Sequence, residues 1–181
     1  MRIISGVKRG AKLMALPGDD TRPTTDRVKE SLFNIIQWEI RGSRVLDLFA
    51  GSGALGLEAL SRGADYVCFA DNNPAAVKVL NANISKIDFV SKSKVVCGDF
   101  RDLIRGDNNK YDIIFLDPPY ASDYIHQCLV EIQRKELLAN GGIIVCETTK
   151  DKLFDTSGFK VRKEAVYGIT KLVFLEVCND E

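Results

Sequence analysis

The sequence has 181 residues, with 25 basic and 25 acidic side chains, one histidine and 45% apolar residues. This composition is typical of a folded globular protein and excludes a disordered chain or a coiled coil. A chain of this length forms one domain, with room for a short appendage. The longest apolar run, residues 66–70, is far shorter than the roughly 20 residues of a membrane helix, and the N-terminus lacks a signal-peptide core. We therefore expect a cytoplasmic protein without a membrane attachment.

Metal chemistry has few candidate ligands in this chain. The five cysteines are widely spaced, with no C-x-x-C pair, and His126 is the single histidine. Because zinc sites are built mainly from these two residue types, we expect no metal site.

The charges are unevenly distributed, although the net charge of the whole chain is zero. The first 18 residues contain four basic side chains and no acidic one. The N-terminal end is therefore a local basic feature.

The N-terminal residues predict a β-hairpin followed by a linker. Residues 2–5 and 11–15 are extended runs that flank a loop bounded by Gly6 and Gly10. Residues 17–23 contain two prolines and several turn-forming residues. We therefore divide the chain into a hairpin extension with its linker, residues 1–20, and a main domain, residues 21–181.

The main domain begins with a predicted amphipathic helix and continues as an alternation of strands and helices. Apolar residues recur at helical spacing from Val28 to Ile40, with Asp26 available as a cap. Near-continuous apolar strands that alternate with helices predict a parallel sheet covered on both faces. The last two strands are joined by a short turn and are therefore antiparallel. The predicted strands are residues 44–48, 66–71, 94–97, 111–117, 142–147, 159–165 and 170–177, and the later helices are 54–62, 74–85, 100–104 and 123–138.

A glycine-rich loop follows the first strand of this alternation. Residues 51–56 form a G-x-G-x-x-G pattern, which is typical of dinucleotide binding when it lies between a strand and a helix. Asp47 precedes the loop, and an anion at this position opposes a pyrophosphate. S-adenosylmethionine carries an ammonium and a sulfonium group but no phosphate, so Asp47 would attract it. We predict that Asp47, Gly51 and Gly53 bind the cofactor, with capping of the loop or the next helix as the other interpretation of Asp47.

Two further carboxylates follow the second and third strands. Asp71 lies 20 residues after Gly51, where a ribose-binding carboxylate is expected. Asp99 can accept a hydrogen bond from an adenine amino group, and Phe100 offers apolar surface to the ring. Capping of the helices that follow is the simpler alternative for both aspartates.

The fourth strand of the alternation ends in Asp117-Pro118-Pro119-Tyr120. The prolines fix the local backbone, so that the Asp117 carboxylate and a carbonyl near Pro118 can both accept hydrogen bonds from one NH₂ group. Two such acceptors orient a poorly nucleophilic aryl amine toward a methyl donor. Tyr120 can stack on a base that has left its duplex. We therefore predict Asp117, Pro118 and Tyr120 as catalytic residues.

The order and spacing of these motifs resemble the class I S-adenosylmethionine-dependent methyltransferases that act on exocyclic amines. Residues 2–6, residues 22–34 and the pair Tyr167-Gly168 are similar, more specifically, to the bacterial small-subunit ribosomal RNA guanine-N2 methyltransferases of the RsmD type. The resemblance covers essentially the whole chain, and residues 22–34 are its most specific part. Asp71-Asn72 departs mildly from the expected Glu followed by another polar residue, which leaves ribose binding intact.

The resemblance implies a Rossmann-like α/β fold, with a seven-stranded, mostly parallel sheet whose last strand is antiparallel and an N-terminal β-hairpin that engages RNA. It also implies methylation of one guanine in the assembled small ribosomal subunit, with S-adenosylmethionine as the cofactor. In this family Lys8, Arg9 and Lys12 would contact phosphates, and Arg22 would lie near the target base. We expect a monomer with ribosomal RNA as its partner.

Several alternatives remain open from the sequence. An NAD-dependent oxidoreductase would use the glycine loop but would leave residues 117–120 without a role. A non-catalytic RNA-binding module could keep the same fold. Within the methyltransferases, adenine N6, DNA or a protein glutamine also presents an NH₂ group to such acceptors.

Overall fold

The computed structural model of the chain describes residues 1–18 and 26–178. Seven of the described segments are strands of a single sheet. They are β1 (Arg44–Asp47), β2 (Tyr66–Asp71), β3 (Ser93–Cys97), β4 (Tyr111–Leu116), β5 (Leu138–Thr149), β6 (Phe159–Tyr167) and β7 (Thr170–Val177).

The sheet has the strand order β3-β2-β1-β4-β5-β7-β6. Strands β1 to β5 pair in parallel, whereas β7 is antiparallel to both β5 and β6. The predicted α/β class, the mostly parallel seven-stranded sheet and the antiparallel last strand are therefore confirmed.

Helices cover both faces of this sheet. Apolar side chains of β1 alternate between two cores, because successive residues of a strand point to opposite faces. Val45 packs with the helices of the N-terminal half, whereas Leu46 packs with the two later helices. No helix in the described residues is long and apolar enough for a bilayer span. The helices are α1 (Asp26–Ile35), α2 (Gln37–Ile40), α3 (Ala54–Ser61), α4 (Pro74–Lys86), α5 (Phe100–Gly106) and α6 (Tyr124–Lys135), with one 3₁₀ turn at Val90–Lys92.

Two of the predicted helices differ from the structure by more than two residues. The single helix expected up to Ile40 is divided into α1 and α2, since Ile36 leaves helical geometry with φ −102° and ψ 18°. Helix α6 ends at Lys135 rather than at residue 138, because Glu136 adopts φ +51°. Leu138 instead begins β5 and pairs with Tyr111. The pairing of Leu138 with β4 therefore outweighs the helical pattern of the sequence at this point.

The first 18 residues, which we call the N-terminal arm, form a very short hairpin. Arg2 and Lys12 make an antiparallel bridge, and the Ile3 N–H donates to the Ala11 carbonyl at 2.9 Å. The arm lies against α3 and α4 through hydrogen bonds to Glu58, Ser61 and Asn83. The division of the chain at residue 20 stays a prediction, because it falls within residues 19–25, outside the described part.

A buried carboxylate holds the arm to the main domain. The Glu58 side chain is fully buried, and its two oxygens accept the backbone N–H groups of Ile4 and Ser5 at 2.9 and 3.0 Å. The same carboxylate makes ion pairs with Lys29 at 3.2 Å and with Arg62 at 2.8 Å. Burial lowers the pKa of Lys29, and the nearby Glu58 carboxylate opposes that shift.

Gly6 permits the close approach of the arm to α3. The Val7 N–H donates to the Ser61 carbonyl at 2.8 Å, and the Lys8 N–H donates to the Ser61 hydroxyl at 3.0 Å. A Cβ at Gly6, where φ is +85°, would lie 1.8 Å from the Ser61 carbonyl oxygen. Only glycine therefore fits at this contact.

Removal of the buried carboxylate should destabilise the protein. Glu58→Ala should lower the free energy of unfolding by about 3–5 kcal/mol, because it leaves the Lys29 ammonium buried without its counter-charge. Urea unfolding measures this loss, and faster amide exchange at Ile4 and Ser5 would locate it in the arm. Glu176→Ala, which removes a surface pair with Lys160, is the matched control and should cost less than about 1 kcal/mol. Equal losses in the two variants would contradict the anchoring role of Glu58.

Candidate cofactor and substrate site

A cavity of about 420 Å³ opens at the carboxyl edge of the parallel strands, where binding sites of such sheets are expected. The loops that follow β1, β2, β3 and β4 form its walls together with one residue of the N-terminal arm. Its lining residues are Leu16, Leu48, Phe49, Gly51, Asp71, Asn72, Asn73, Ala76, Gly98, Asp99, Phe100, Asp117, Pro119 and Tyr124.

Asp71 connects the glycine loop to the end of β2. One carboxylate oxygen accepts the Gly51 N–H, and the other accepts the Asn73 N–H, both at 2.9 Å. Asn73 is the residue that caps α4, since its side chain accepts the Ala75 N–H at 3.0 Å. Each Asp71 oxygen retains a further lone pair, so the carboxylate in the cavity wall can still accept from a ligand hydroxyl.

Gly53 shapes the loop from behind the cavity. It precedes α3 with φ +92°, and a Cβ there would lie 2.5 Å from a methyl carbon of Leu80. Gly51 lines the cavity, whereas Gly53 packs on Leu80 of α4. The two glycines that the sequence predicted as one binding pair thus have different roles in the geometry.

Asp47 is buried beneath the glycine loop. One of its carboxylate oxygens accepts the Gly56 N–H in the first turn of α3 at 3.1 Å, which is the helix-capping role that the sequence left open. The other oxygen is buried and has no hydrogen-bond partner among the described residues. Burial raises the pKa of Asp47 to about 7, with the Gly56 N–H acting against that rise.

Asp99 and Phe100 lie at the start of α5, in the wall of the cavity. Asp99 caps α5 by accepting the Arg101 N–H at 2.8 Å, and it pairs with the Arg101 guanidinium at 2.9 Å. The Phe100 ring is buried and lies 5.3 Å from the Phe49 ring and 5.1 Å from the Tyr124 ring. The three rings form an apolar cluster beside a carboxylate, with the Phe49 and Tyr124 rings stacked and the Phe100 ring tilted against both.

The Asp-Pro-Pro-Tyr segment follows β4 and borders the same cavity. Asp117 and Pro119 line the cavity, and Pro118 is buried beside them. Tyr120 points its hydroxyl to a Glu147 carboxylate oxygen at 3.2 Å, and its carbonyl accepts the Lys152 ammonium at 2.7 Å. The end of β5 and the segment after it thus brace the proline turn.

Several residues of the site have no motif of their own in the sequence. Phe49, Tyr124 and Leu16 line the cavity, and Glu147 holds Tyr120. Phe49 lies within the glycine-loop segment, so its position in the sequence could have identified it. The other three come from distant parts of the chain, and only the fold brings them to this edge.

The predicted RNA-contacting residues lie on the arm, outside the cavity lining. Arg9 and Lys12 are exposed, and the Lys8 ammonium lies 5.7 Å from the centre of the Phe89 ring. Arg22 lies outside the described residues. The three described residues thus form a basic tip at the end of the arm that is fastened to Ser61.

The charges of the cavity distinguish between the two candidate cofactors. Asp71, Asp99 and Asp117 line it, and none of its described lining residues is Lys or Arg. A pyrophosphate would therefore meet Asp71 and Asp117 without a cation in the described lining, since Arg101, which pairs with Asp99, lies outside it. The acidic wall fits a cationic ligand such as S-adenosylmethionine instead.

The model of a known family, described as conserved hypothetical protein 95, matches residues 1–176 of this chain. The chain belongs to this family. Relatives include YlbH of Bacillus subtilis, 40% identical over 176 residues (94% of this chain and 95% of that protein), and ribosomal RNA small subunit methyltransferase D of Haemophilus influenzae, 37% identical over 173 residues (93% and 90%). The solved structure of yhhF from Escherichia coli is 32% identical, with a TM-score of 0.88 over 97% of this chain and 96% of the other.

The names of these relatives indicate the class of reaction. The protein is a class I methyltransferase that uses S-adenosylmethionine, in agreement with the acidic cavity. The NAD-dependent alternative is therefore wrong. When bound, S-adenosylmethionine would supply an electrophilic methyl group, and Gly51, Asp71, Asp99 and Phe100 line the cavity that would receive it.

The buried carboxylate of Asp47 should give the protein a characteristic pH dependence. Its pKa in the folded protein, about 7, exceeds the value of 3.8 expected after unfolding. The folded state therefore retains a proton that the unfolded state releases, so that this group makes the protein less stable as pH rises from about 4 to 7. Asp47→Asn keeps an oxygen for the Gly56 N–H and removes the titration.

The stability of Asp47→Asn relative to wild type should thus increase by several kcal/mol between pH 4.5 and pH 8, since one pKa unit corresponds to about 1.4 kcal/mol. Urea unfolding at both pH values, without cofactor, measures the difference. A constant difference across this range would show that Asp47 keeps its ordinary pKa in the fold.

Proposed function

We propose that the protein transfers a methyl group from S-adenosylmethionine to the exocyclic N2 amine of a guanine in small-subunit ribosomal RNA. The placement of Asp117 and Pro119 in the wall of the cofactor cavity carries this proposal. An acceptor amine held by Asp117 would lie at the edge of the same cavity as the methyl donor. The names of two relatives, ribosomal RNA small subunit methyltransferase D, support the RNA and the subunit.

The proline turn leaves a specific carbonyl to hold the amine. The Pro119 carbonyl accepts both the N–H and the hydroxyl of Ser122, at 3.0 and 2.6 Å. We therefore assign the Pro118 carbonyl, together with the Asp117 carboxylate, to the two N–H groups of the guanine amine. This arrangement favours a more tetrahedral nitrogen whose lone pair faces the methyl donor.

Asp117 acts mainly by orientation and electrostatics. The aryl amine becomes acidic once it is methylated, so its proton can leave late, toward the nearby carboxylate or water. Tyr120 provides a ring against which the base can stack once it has left its neighbours. Glu147 and Lys152 hold Tyr120 at its hydroxyl and its carbonyl, which limits the positions open to that ring.

RNA binding is assigned to the basic tip of the N-terminal arm. Lys8, Arg9 and Lys12 offer their charges to phosphates, in the way that RNA-binding surfaces use clustered basic residues. Arg22 would act near the base. We further propose a cytoplasmic monomer whose partner is ribosomal RNA in the assembled small subunit.

The decisive experiment is methyl transfer to ribosomal RNA that lacks the modification. Small subunits from a strain without the homologous enzyme are incubated with radiolabelled S-adenosylmethionine, and the RNA is analysed by nucleoside mass spectrometry. We expect N2-methylguanosine at one position. Label in N6-methyladenosine, in DNA or in a ribosomal protein would identify a different acceptor, and no transfer to any of these would support a non-catalytic role.

Substitutions of Asp117 should separate orientation from charge. Asp117→Asn keeps one acceptor oxygen and should retain partial activity, whereas Asp117→Ala should lose a factor on the order of 10²–10³ in rate. Single-turnover methyl transfer at saturating cofactor measures both rates. Asp123→Ala, at an exposed aspartate six residues further along the chain, should leave the rate unchanged.

Both Asp117 variants should bind S-adenosylmethionine almost normally. We assign the main cofactor contacts to other residues of the cavity, namely Asp71, Asp99, Phe100 and the glycine loop. If Asp117→Asn proves as inactive as Asp117→Ala, the negative charge itself is required. Full activity of Asp117→Ala would remove Asp117 from the mechanism.

Charge reversal of the arm tip should weaken RNA binding. Replacement of Lys8, Arg9 and Lys12 by Glu should lower the affinity for small-subunit RNA, and the slope of log K against log salt should decrease by roughly 0.7–0.9 for each phosphate that the arm no longer neutralises. The affinity for S-adenosylmethionine without RNA should not change. The matched control makes the same charge change at the exposed residues Lys110, Arg134 and Lys160. Equal effects of the two triple variants would show that net charge, and not the arm, determines the affinity.

A further inference from the structure

The N-terminal arm reaches the cofactor cavity as well as the surface. Its tip is fastened to Ser61 at the end of α3, and Leu16, near its other end, lines the cavity. Leu16 is half-buried and lies in the same wall as Ala76 of α4. The arm is therefore in contact with the space where the cofactor would be held.

A buried asparagine on α4 connects the arm to the glycine loop. Asn83 is fully buried, and its side-chain oxygen accepts the Met14 N–H at 2.8 Å. Its amide nitrogen donates to the Met14 carbonyl and to the Ser52 carbonyl, both at 2.9 Å. Ser52 follows Gly51, whose N–H is bound to Asp71. One side chain thus fixes the position of the arm relative to the loop that borders the cavity.

We infer that the N-terminal arm completes the cofactor site, with Asn83 as the positioning residue and Leu16 as the contact, so that cofactor binding and RNA binding by the arm favour each other. A cofactor that contacts Leu16 binds better when the arm is docked on α3 and α4. RNA that holds the basic tip favours the same docked state. The two affinities are then linked, and each ligand must strengthen the other by the same factor. The RNA half of this inference rests on the proposed function.

Cofactor binding without RNA tests the structural half. The dissociation constant of S-adenosylhomocysteine, which cannot donate a methyl group, is measured by calorimetry. Leu16→Ala and Asn83→Ser should each weaken binding by about three- to tenfold, the effect expected when part of an apolar contact or its support is removed. Asn81→Ser is the matched control, since its side chain is exposed on the same helix, and it should bind as wild type does.

Linkage with RNA tests the second half. Small ribosomal subunits from a strain without the homologous enzyme should change S-adenosylhomocysteine binding to the wild-type protein little, because its arm is already docked. The same subunits should tighten cofactor binding to Asn83→Ser by about three- to tenfold, because RNA on the basic tip restores the docked arm that this variant loosens. Thermal unfolding of Asn83→Ser checks that this variant is folded. If it is not, Leu16→Ala still tests the cofactor contact, because it changes only a half-buried side chain.

The outcomes separate this inference from the proposed function. Wild-type affinity for S-adenosylhomocysteine in both Leu16→Ala and Asn83→Ser overturns the inference, whether or not the protein methylates RNA. Binding of subunits to Asn83→Ser without any change in its cofactor affinity overturns the linkage. If the subunits do not bind to the wild-type protein while both variants have weakened cofactor binding, the RNA partner is wrong and the role of the arm in the cofactor site is supported.

Discussion

The hydrogen bonds of Asp71 are the contacts on which the geometry of the cavity depends. This carboxylate takes the Gly51 N–H on one oxygen and the Asn73 N–H on the other, and so fixes the loop after β1 against the end of β2. Both strands end at the same edge because they are parallel. The cavity between their loops therefore has a defined width before any ligand arrives, and such preorganisation lowers the cost of binding.

The acidic character of this edge explains why a cationic cofactor fits it. The sheet directs Asp47, Asp71, Asp99 and Asp117 to one side of the molecule, since each follows or ends a parallel strand. Burial of Asp47 costs stability while the carboxylate is charged, which the raised pKa expresses.

The candidate site was predictable from the sequence where local patterns carry the information. The glycine loop, Asp71, Asp99, Asp117 and Pro118 were identified because each stands at a strand end, and the fold places them around or beside one cavity. The sequence could not assign separate roles to Gly51 and Gly53, since the contact of Gly53 with Leu80 joins segments 27 residues apart. The sequence likewise could not predict the hydrogen bond from Tyr120 to Glu147, because no local pattern indicates which residue a carboxylate in a strand will contact.

Local sequence patterns were sufficient to predict the order of strands and helices along the chain, the parallel sheet and the antiparallel last strand. Apolar runs and turn lengths are local properties, and a sheet buried on both faces can be built from them in few ways. The attachment of the N-terminal arm, in contrast, could be seen only in the folded structure. Its contacts with Glu58 and Asn83 join residues more than 50 positions apart, and no periodicity encodes them. The energetic reason is burial: these two polar side chains lie in the interior, where each must find hydrogen-bond partners, and the backbone of the arm provides them.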